Sequence, residues 1–299
     1  MRVRQRVAVA LNTYTFWHPD PRGGAARDSS SVVGPASLGA DEATKLAVQA
    51  TGYGAPTLTK SAHLSFPQFP PDMPYQEAVD AVWRSYNQCD RCHLSTRKSK
   101  IVHYVGDVNS PVVYIGEGPN SADDASGFPL SGSVGSLQDT LNSEVGIDTS
   151  KIFVMHIVGC RAAASFDHKV TRTTEESEII SCSERTVGYL RAVRPRVVVC
   201  LGKVATRAFW KTPPPAWSWH RFTPQESPED WFMVGHAQSP AYLTRTIAMP
   251  SMYREYAAQR TFYSMLAARI PSLTKVRQWH FIPPGLDLKT PLVSWEKVV

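Results

Sequence analysis

Val112-Val113-Tyr114-Ile115-Gly116-Glu117-Gly118-Pro119 is the stretch that decides the architecture of this chain. Its four apolar residues, three of them β-branched, end at a glycine, and a short run of that kind reads as a buried strand. The glycines beyond it let main-chain N–H groups approach a ligand closely, and Pro119 stiffens the turn. The loop continues as Gly116–Gly135, GEGPNSADDASGFPLSGSVG, ahead of a helix expected at Ser136–Ser143. A loop leaving the carboxyl end of a strand and entering a helix is where open α/β sheets bind ligands. The acids Glu117, Asp123 and Asp124 argue against a cradle built for phosphate alone. An acid beside a sugar can instead orient water or stabilise a cationic ring.

The alternation extends in both directions. Gln76–Tyr86 reads as a helix and Ile152–Val158 as a second strand. Glu175–Val193 has helical periodicity, Arg196–Leu201 is a third strand, and Val204–Trp210 opens a helix. Trp231–Val234 is a fourth strand and Met252–Ala268 a closing helix. Strands alternating with helices predict an α/β protein, a three-layer α/β/α sandwich with a mostly parallel central sheet. That domain is expected over residues 76–270. Residues 1–75 carry eight prolines and the small, polar tract Arg22–Ala36, so they read as an irregular extension with one helix near Asp41–Gln49. Residues 271–299 read as a tail.

The 299 residues are 42% hydrophobic and 19% charged, ordinary for a globular protein. A net charge of +6 is compatible with a polyanionic partner without requiring one. No apolar run approaches the roughly 20 residues of a membrane helix. The start, MRVRQRVAVALNTYTFW, lacks a small-residue cleavage site and reads as a strand or an arm. The expectation is a cytoplasmic protein that does not engage a membrane.

Five cysteines occur, and four have a telling spacing: Cys89-x2-Cys92, then Cys160, then Cys182. In a reducing cytosol a close pair with two further cysteines reads as metal or cluster ligation. Zinc usually takes two close pairs, and dispersed thiolates also suit an iron–sulfur cluster; the spacing is compatible with either. Cys200 sits within the third strand and reads as a small core hydrophobe. Arg91, His93, Arg97, Lys98 and Lys100 flank the first pair, and Arg161, His168, Lys169 and Arg172 follow the third cysteine. A charge run is usually a solvated face, but contacts along a nucleic-acid backbone need such a surface. His236 lies at the end of the fourth strand, ahead of Ser239-Pro240-Ala241-Tyr242-Leu243.

Taken in order, these segments resemble the uracil-DNA glycosylase superfamily, in its cluster-bearing branch, family 4. The resemblance runs from about Tyr75 to Ala268. Its carriers are Cys89-x2-Cys92, Gly116-Glu117-Gly118-Pro119, Gly127-Phe128-Pro129, Gly132-x-x-Gly135, Cys160-Arg161, Cys182, Arg194-Pro195, Leu201-Gly202 and Pro240-Ala241-Tyr242-Leu243-Thr244-Arg245. The resemblance implies a structural [4Fe-4S] cluster on Cys89, Cys92, Cys160 and Cys182, with zinc the alternative. It also implies a DNA partner, and cleavage of the N-glycosidic bond of a flipped base. On the substrate side it implies Gly116, Gly118, Pro119, Asn120, Leu130, Arg161 and Tyr242.

The departures fall in the base pocket. The family's stacking aromatic after G-x-P is here Leu130, its base-reading asparagine four residues before the third cysteine is His156, and its late histidine is Ser239, with His236 three residues earlier. The glycine after GEGP is Asn120. Losing an aromatic plate removes about 1–3 kcal/mol of stacking and opens volume. The pocket is therefore expected to take another base, a modified pyrimidine bulkier than uracil, of the kind found in phage DNA. Glu117 or Asp123 would orient water and stabilise the cationic sugar. His156, with either His236 or Ser239, would stabilise the leaving base. No lysine is placed for Schiff-base chemistry, so a monofunctional enzyme, acting as a monomer and leaving an abasic site, is expected. The competing readings are a conventional uracil-DNA glycosylase and a catalytically silent DNA-binding relative.

Overall fold

The computed structural model describes residues 67–164, 170–210, 212–224, 227–246, 252–279 and 296–298. The proposed helix near Asp41–Gln49 and the basic residues His168 and Lys169 lie outside these. The chain carries one compact unit over Ser65–Val299, built from α1 (Tyr75–Tyr86), β1 (Val112–Gly116), α2 (Ser121–Ser126), α3 (Ser133–Ser143), β2 (Phe153–His156), α4 (Glu176–Val193), β3 (Val197–Leu201), β4 (Ser218–Phe222), β5 (Phe232–Ala237), α5 (Pro240–Thr246), α6 (Met252–Ala267) and β6 (Glu296–Val298).

The six strands form one sheet in the order β2-β1-β3-β5-β4-β6. β2, β1, β3 and β5 run parallel. β4 returns antiparallel on β5, and β6 pairs antiparallel with β4. Alternation along β1 separates two cores, as the period of two in a strand requires. Val113 and Ile115 face one core, with Val79 and Val82 of α1 and Tyr189, Leu190 and Val193 of α4. Val112 and Tyr114 face the other, with Leu137 and Leu141 of α3, Leu243 of α5 and Phe262 and Tyr263 of α6. The result is the expected α/β/α sandwich. β1, buried along its whole length, is the hinge of the topology. The chain leaves it first toward β2 and later returns on its other side as β3, and ligands bind at such a switch point.

Three sequence expectations change. The loop after β1 contains a helix, α2, hidden by its polar composition. Its start is a reciprocal cap, in which the Asn120 side chain accepts from Ala122 and Asp123 N–H while Asp123 accepts from Asn120 N–H. Gly127 closes it in the left-handed region at φ 87°. Val204–Trp210 gives only a single tight turn, Ala205–Ala208. The residues beyond 271, read as a tail, contribute to the core. Val276 and Trp279 are buried, the Trp279 ring sits 4.1 Å from that of Phe232, and β6 extends the sheet.

Candidate active site

The carboxyl ends of β1, β2, β3 and β5 meet the segment before α4 around a cleft of about 470 Å³, within the usual size range of small-ligand sites. Gly116, Glu117, Gly118, Pro119, Asn120, Asp123 and Leu130 form one wall. His156 closes it from β2, Thr171–Thr174 from the segment before α4, and Ser239, Pro240, Ala241 and Arg245 from the start of α5. The motif residues thus converge from four strand ends.

The two candidate acids differ. Glu117 is half-buried, and its Oε1 accepts from Thr174 N–H at 2.8 Å and from the Thr174 hydroxyl at 3.3 Å. Asp123 is buried and engaged at both oxygens. Oδ1 accepts from Ser131 N–H at 2.6 Å, and Oδ2 accepts from Asn120 N–H and lies 3.1 Å from His156 Nε2. Asp123 is therefore a bracket joining α2, the Leu130–Ser131 turn and the end of β2. Glu117 is the acid with room to hold water. Leu130 sits at φ 55°, a left-handed conformation uncommon for a bulky residue. Asp123 pins the next amide, and Gly135 makes space, since a Cβ there would fall 1.6 Å from Leu130 O. Gly116 is needed for a similar reason: a Cβ would lie 2.4 Å from His156 Nδ1.

At the end of β5, Ser239 lines the cleft and His236 does not. His236 Nδ1 pairs with Pro214 O at 2.7 Å, and burial depresses its pKa, opposed by that carbonyl. Gln238, next to Ser239, is held by buried Gln259, which accepts from Gln238 N–H at 2.9 Å and donates to its carbonyl at 3.2 Å. Gln259 continues through Tyr263, Gln138 and Asn142 to Tyr114. Each net bond is worth about 1 kcal/mol, and each orphaned buried group costs about 1–3. Tyr242 packs against the α3/α6 core. Arg161 is buried and donates to Thr171 Oγ1 at 2.8 Å, closing the base of its own loop. Neither lines the cleft. Thr174, Arg172 and Arg245 were absent from the sequence-level site; Arg245 had stood in the quoted motif, but Thr174 had no signal beyond its place before α4.

The four cysteines lie on α1's exit loop, after β2 and on α4, near enough for their charges to interact. Three of them feel the charge of neighbouring cysteines: Cys92 that of Cys89, Cys160 that of Cys182 and Cys92, and Cys182 that of Cys92 and Cys89. Burial pushes the Cys160 thiol up to about 12 and raises Cys92 and Cys182. Lys98 and Arg185 oppose this with positive charge on Cys160. Lys98 Nζ also donates to Cys89 O at 3.1 Å. Ligation would require these thiols to bind as thiolates against the cost of burial, and the positive charge of Lys98 and Arg185 favours that form at Cys160. Among the described residues no three of these sulfurs lie within 4.8 Å of one another; the one donor trio that close is His93, Glu175 and Glu178. In the donor trio, Arg172 takes Glu178: burial alone would raise that carboxyl, but Arg172 brings it below its ordinary range. Arg185 links the two sites, donating to His156 O at 3.0 Å and Val102 O at 2.8 Å.

A cleft at the switch point of a parallel sheet, walled on one side by a capped, acid-bearing loop, defines an α/β protein with its ligand site at the carboxyl ends of the strands. The sequence profile of the Uracil DNA glycosylase superfamily matches residues 103–267, more than half the chain, and the chain belongs to that superfamily. It is similar to the type-4 uracil-DNA glycosylase of Archaeoglobus fulgidus, 30% identical over 131 residues, covering 44% of this chain and 63% of that protein. Its likeness to the type-4 uracil-DNA glycosylase of Saccharolobus solfataricus is 27% over 134 residues, 44% of this chain and 59% of the other. That of Thermotoga maritima is 27% identical over 134 residues, 45% and 67% respectively. The chain thus spans less than two thirds of the first two relatives. Among the described residues no helix is long and apolar enough to cross a membrane.

Proposed function

We propose that this protein is a monofunctional DNA glycosylase that hydrolyses the N-glycosidic bond of a flipped, modified pyrimidine bulkier than uracil and leaves an abasic site. The observation that carries the reading is the shared cleft: Glu117 held by Thr174, and the Asp123–His156 pair, face one cavity with Leu130 where an aromatic plate would stand. DNA would lie along the basic rim, with Arg172 and Arg245 toward the cleft. The nucleotide must leave the stack to reach Glu117. As the glycosidic bond lengthens, the sugar gains positive charge and the base negative charge. Glu117 would stabilise the first and orient the attacking water; His156 and Ser239 would face the second. Asp123 would position His156 and leave the water to Glu117.

Cys89, Cys92, Cys160 and Cys182 would hold a [4Fe-4S] cluster, or zinc as the alternative. Such a centre would brace the exit of α1 against α4 and supply no step of the hydrolysis. A reducing compartment, the cytoplasm, suits it, and a monomer suffices for the reaction.

The names of the relatives favour a second reading, uracil itself as the base. Abasic-site formation on DNAs carrying uracil, hypoxanthine, 5-hydroxymethyluracil or glucosylated 5-hydroxymethylcytosine separates the readings. Release of a modified pyrimidine in preference to uracil is expected. Uracil as the preferred base would favour the second reading, and DNA binding without any release would leave a silent relative. Iron and acid-labile sulfide in the purified protein, lost in Cys160→Ser, are expected; a colourless, iron-free protein would remove the cluster.

A further inference from the structure

Glu178 is a fully buried carboxylate that the hydrolysis does not use. Its oxygens are spent on the segment that holds Glu117. Oε1 accepts from Arg172 Nη2 at 2.5 Å, and Oε2 accepts from Arg172 Nη1 at 2.9 Å and from Glu175 N–H at 2.7 Å. Buried Thr174 lies between those two anchors, and its N–H and hydroxyl hold Glu117 Oε1. Arg172 Nη1 also donates to Thr173 O at 3.0 Å. That carbonyl belongs to the same planar peptide as the Thr174 N–H. Arg172 and Glu117 therefore grip one peptide group from opposite ends, and bonds in such a chain strengthen one another.

The place of Arg172 on the cleft wall would suit a DNA phosphate contact, but its terminal nitrogens are committed elsewhere. Nη1 serves Glu178 and Thr173 O. Nη2 serves Glu178 and lies 3.4 Å from Glu175 Oε1 and 3.2 Å from His93 Nε2. Burial disfavours the Glu178 carboxylate and Arg172 outweighs it, so a phosphate that drew the guanidinium away would strand a buried charge. We propose that Arg172 and Glu178 form a clamp that fixes the Thr174 peptide and, through it, the catalytic acid Glu117, which makes Arg172 a positioning residue and not a phosphate contact. The role of Glu117 rests on the glycosylase reading; the clamp rests on the hydrogen bonds. A catalytic group displaced even slightly loses much of its rate advantage.

Hydrogen exchange at the Thr174 amide, in the full chain without DNA, reads the clamp directly, because that N–H is the one given to Glu117. Arg172→Gln should speed its exchange by at least about tenfold while the amides of β1 and β3 keep their rates. The double variant Arg172→Gln/Glu178→Gln, which strands no charge, should do the same, and unchanged exchange in it would overturn the proposal. A duplex carrying 5-hydroxymethyluracil on a 2′-fluoro sugar, whose glycosidic bond resists cleavage, separates the clamp from a phosphate contact. The salt dependence of its binding should be the same for Arg172→Gln and the unmodified protein; a slope smaller by about one would make Arg172 a phosphate contact and overturn the proposal. Single-turnover release from the ordinary 5-hydroxymethyluracil duplex should fall about fivefold in Arg172→Gln, as in Thr174→Val, and no more than about twofold further when the two are combined. Losses that multiply to about 25-fold would show independent actions and overturn the proposal. Release from none of the four modified DNAs, with Thr174 exchange still accelerated in the variants, would remove hydrolysis and support the clamp.

Discussion

His156 and His236 occupy comparable places, at the carboxyl ends of parallel strands β2 and β5, yet one lines the cleft and the other does not. Register explains the difference. His156 pairs with Gly116, while His236 pairs with Cys200, which is level with Ile115. Two residues before His156, Val154 belongs to the α3/α6 core; two residues before His236, Val234 belongs to the α1/α4 core. Alternation along a strand thus sends the two imidazoles to opposite faces of the sheet. One meets Asp123, and the other meets the Pro214 carbonyl. The same residue type at the same edge acquires chemistry or structure from a shift of one position in register.

The largest effect is expected at the acid on which the cleft depends. Glu117→Gln should lower base release by about 10²–10⁴-fold with DNA affinity unchanged; single-turnover kinetics and a binding titration report the two separately. Next comes the histidine pair itself. His156→Ala should slow release by about 10²-fold, whereas His236→Ala should leave the rate nearly intact and lower the melting temperature, because it removes a buried bond and its packing. A rate loss in His236→Ala equal to that in His156→Ala would erase the distinction. Thr174→Val should cost about fivefold in rate, the worth of a hydrogen bond of about 1 kcal/mol to Glu117, and Thr174→Ser should restore most of it.

The smallest effect concerns a third histidine, outside the lining of the cleft. Burial, and then the charge of Arg185, depress His103 to about 4, with Asp80 opposing. Its Nδ1 accepts from Tyr104 N–H at 2.8 Å, and its ring lies 3.8 Å from that of Trp83. An exposed histidine titrates near ~6.5, so between there and about 4 the unfolded chain binds a proton that the folded chain does not. Stability therefore falls as pH drops through that window. Denaturant midpoints measured across it should decline less steeply in His103→Gln.

Much of this arrangement was legible in the sequence. The apolar run before Gly116 and the order of motifs gave the four parallel strands of the sheet and its two helical layers. The substituted positions Leu130 and His156 do line the cavity. What stayed hidden has physical reasons. α2 was masked by Asn120, Asp123 and Asp124, residues that read as loop until their reciprocal cap is seen. β4, SWHRF, has two buried residues spaced three apart, Trp219 and Phe222, so it shows no clean alternation. Thr174 reaches Glu117 across 57 positions, and such a contact leaves no local pattern. The choice between His236 and Ser239 needed the register of β5 on β3, which composition does not carry.

The most direct test of the account is mass spectrometry of the products when the protein is mixed in excess with DNA carrying the modified pyrimidine it binds best. The account predicts free base and an uncut strand with one abasic sugar, both absent with Glu117→Gln. A cut strand, a protein–DNA adduct, or intact DNA recovered from the bound complex would contradict it.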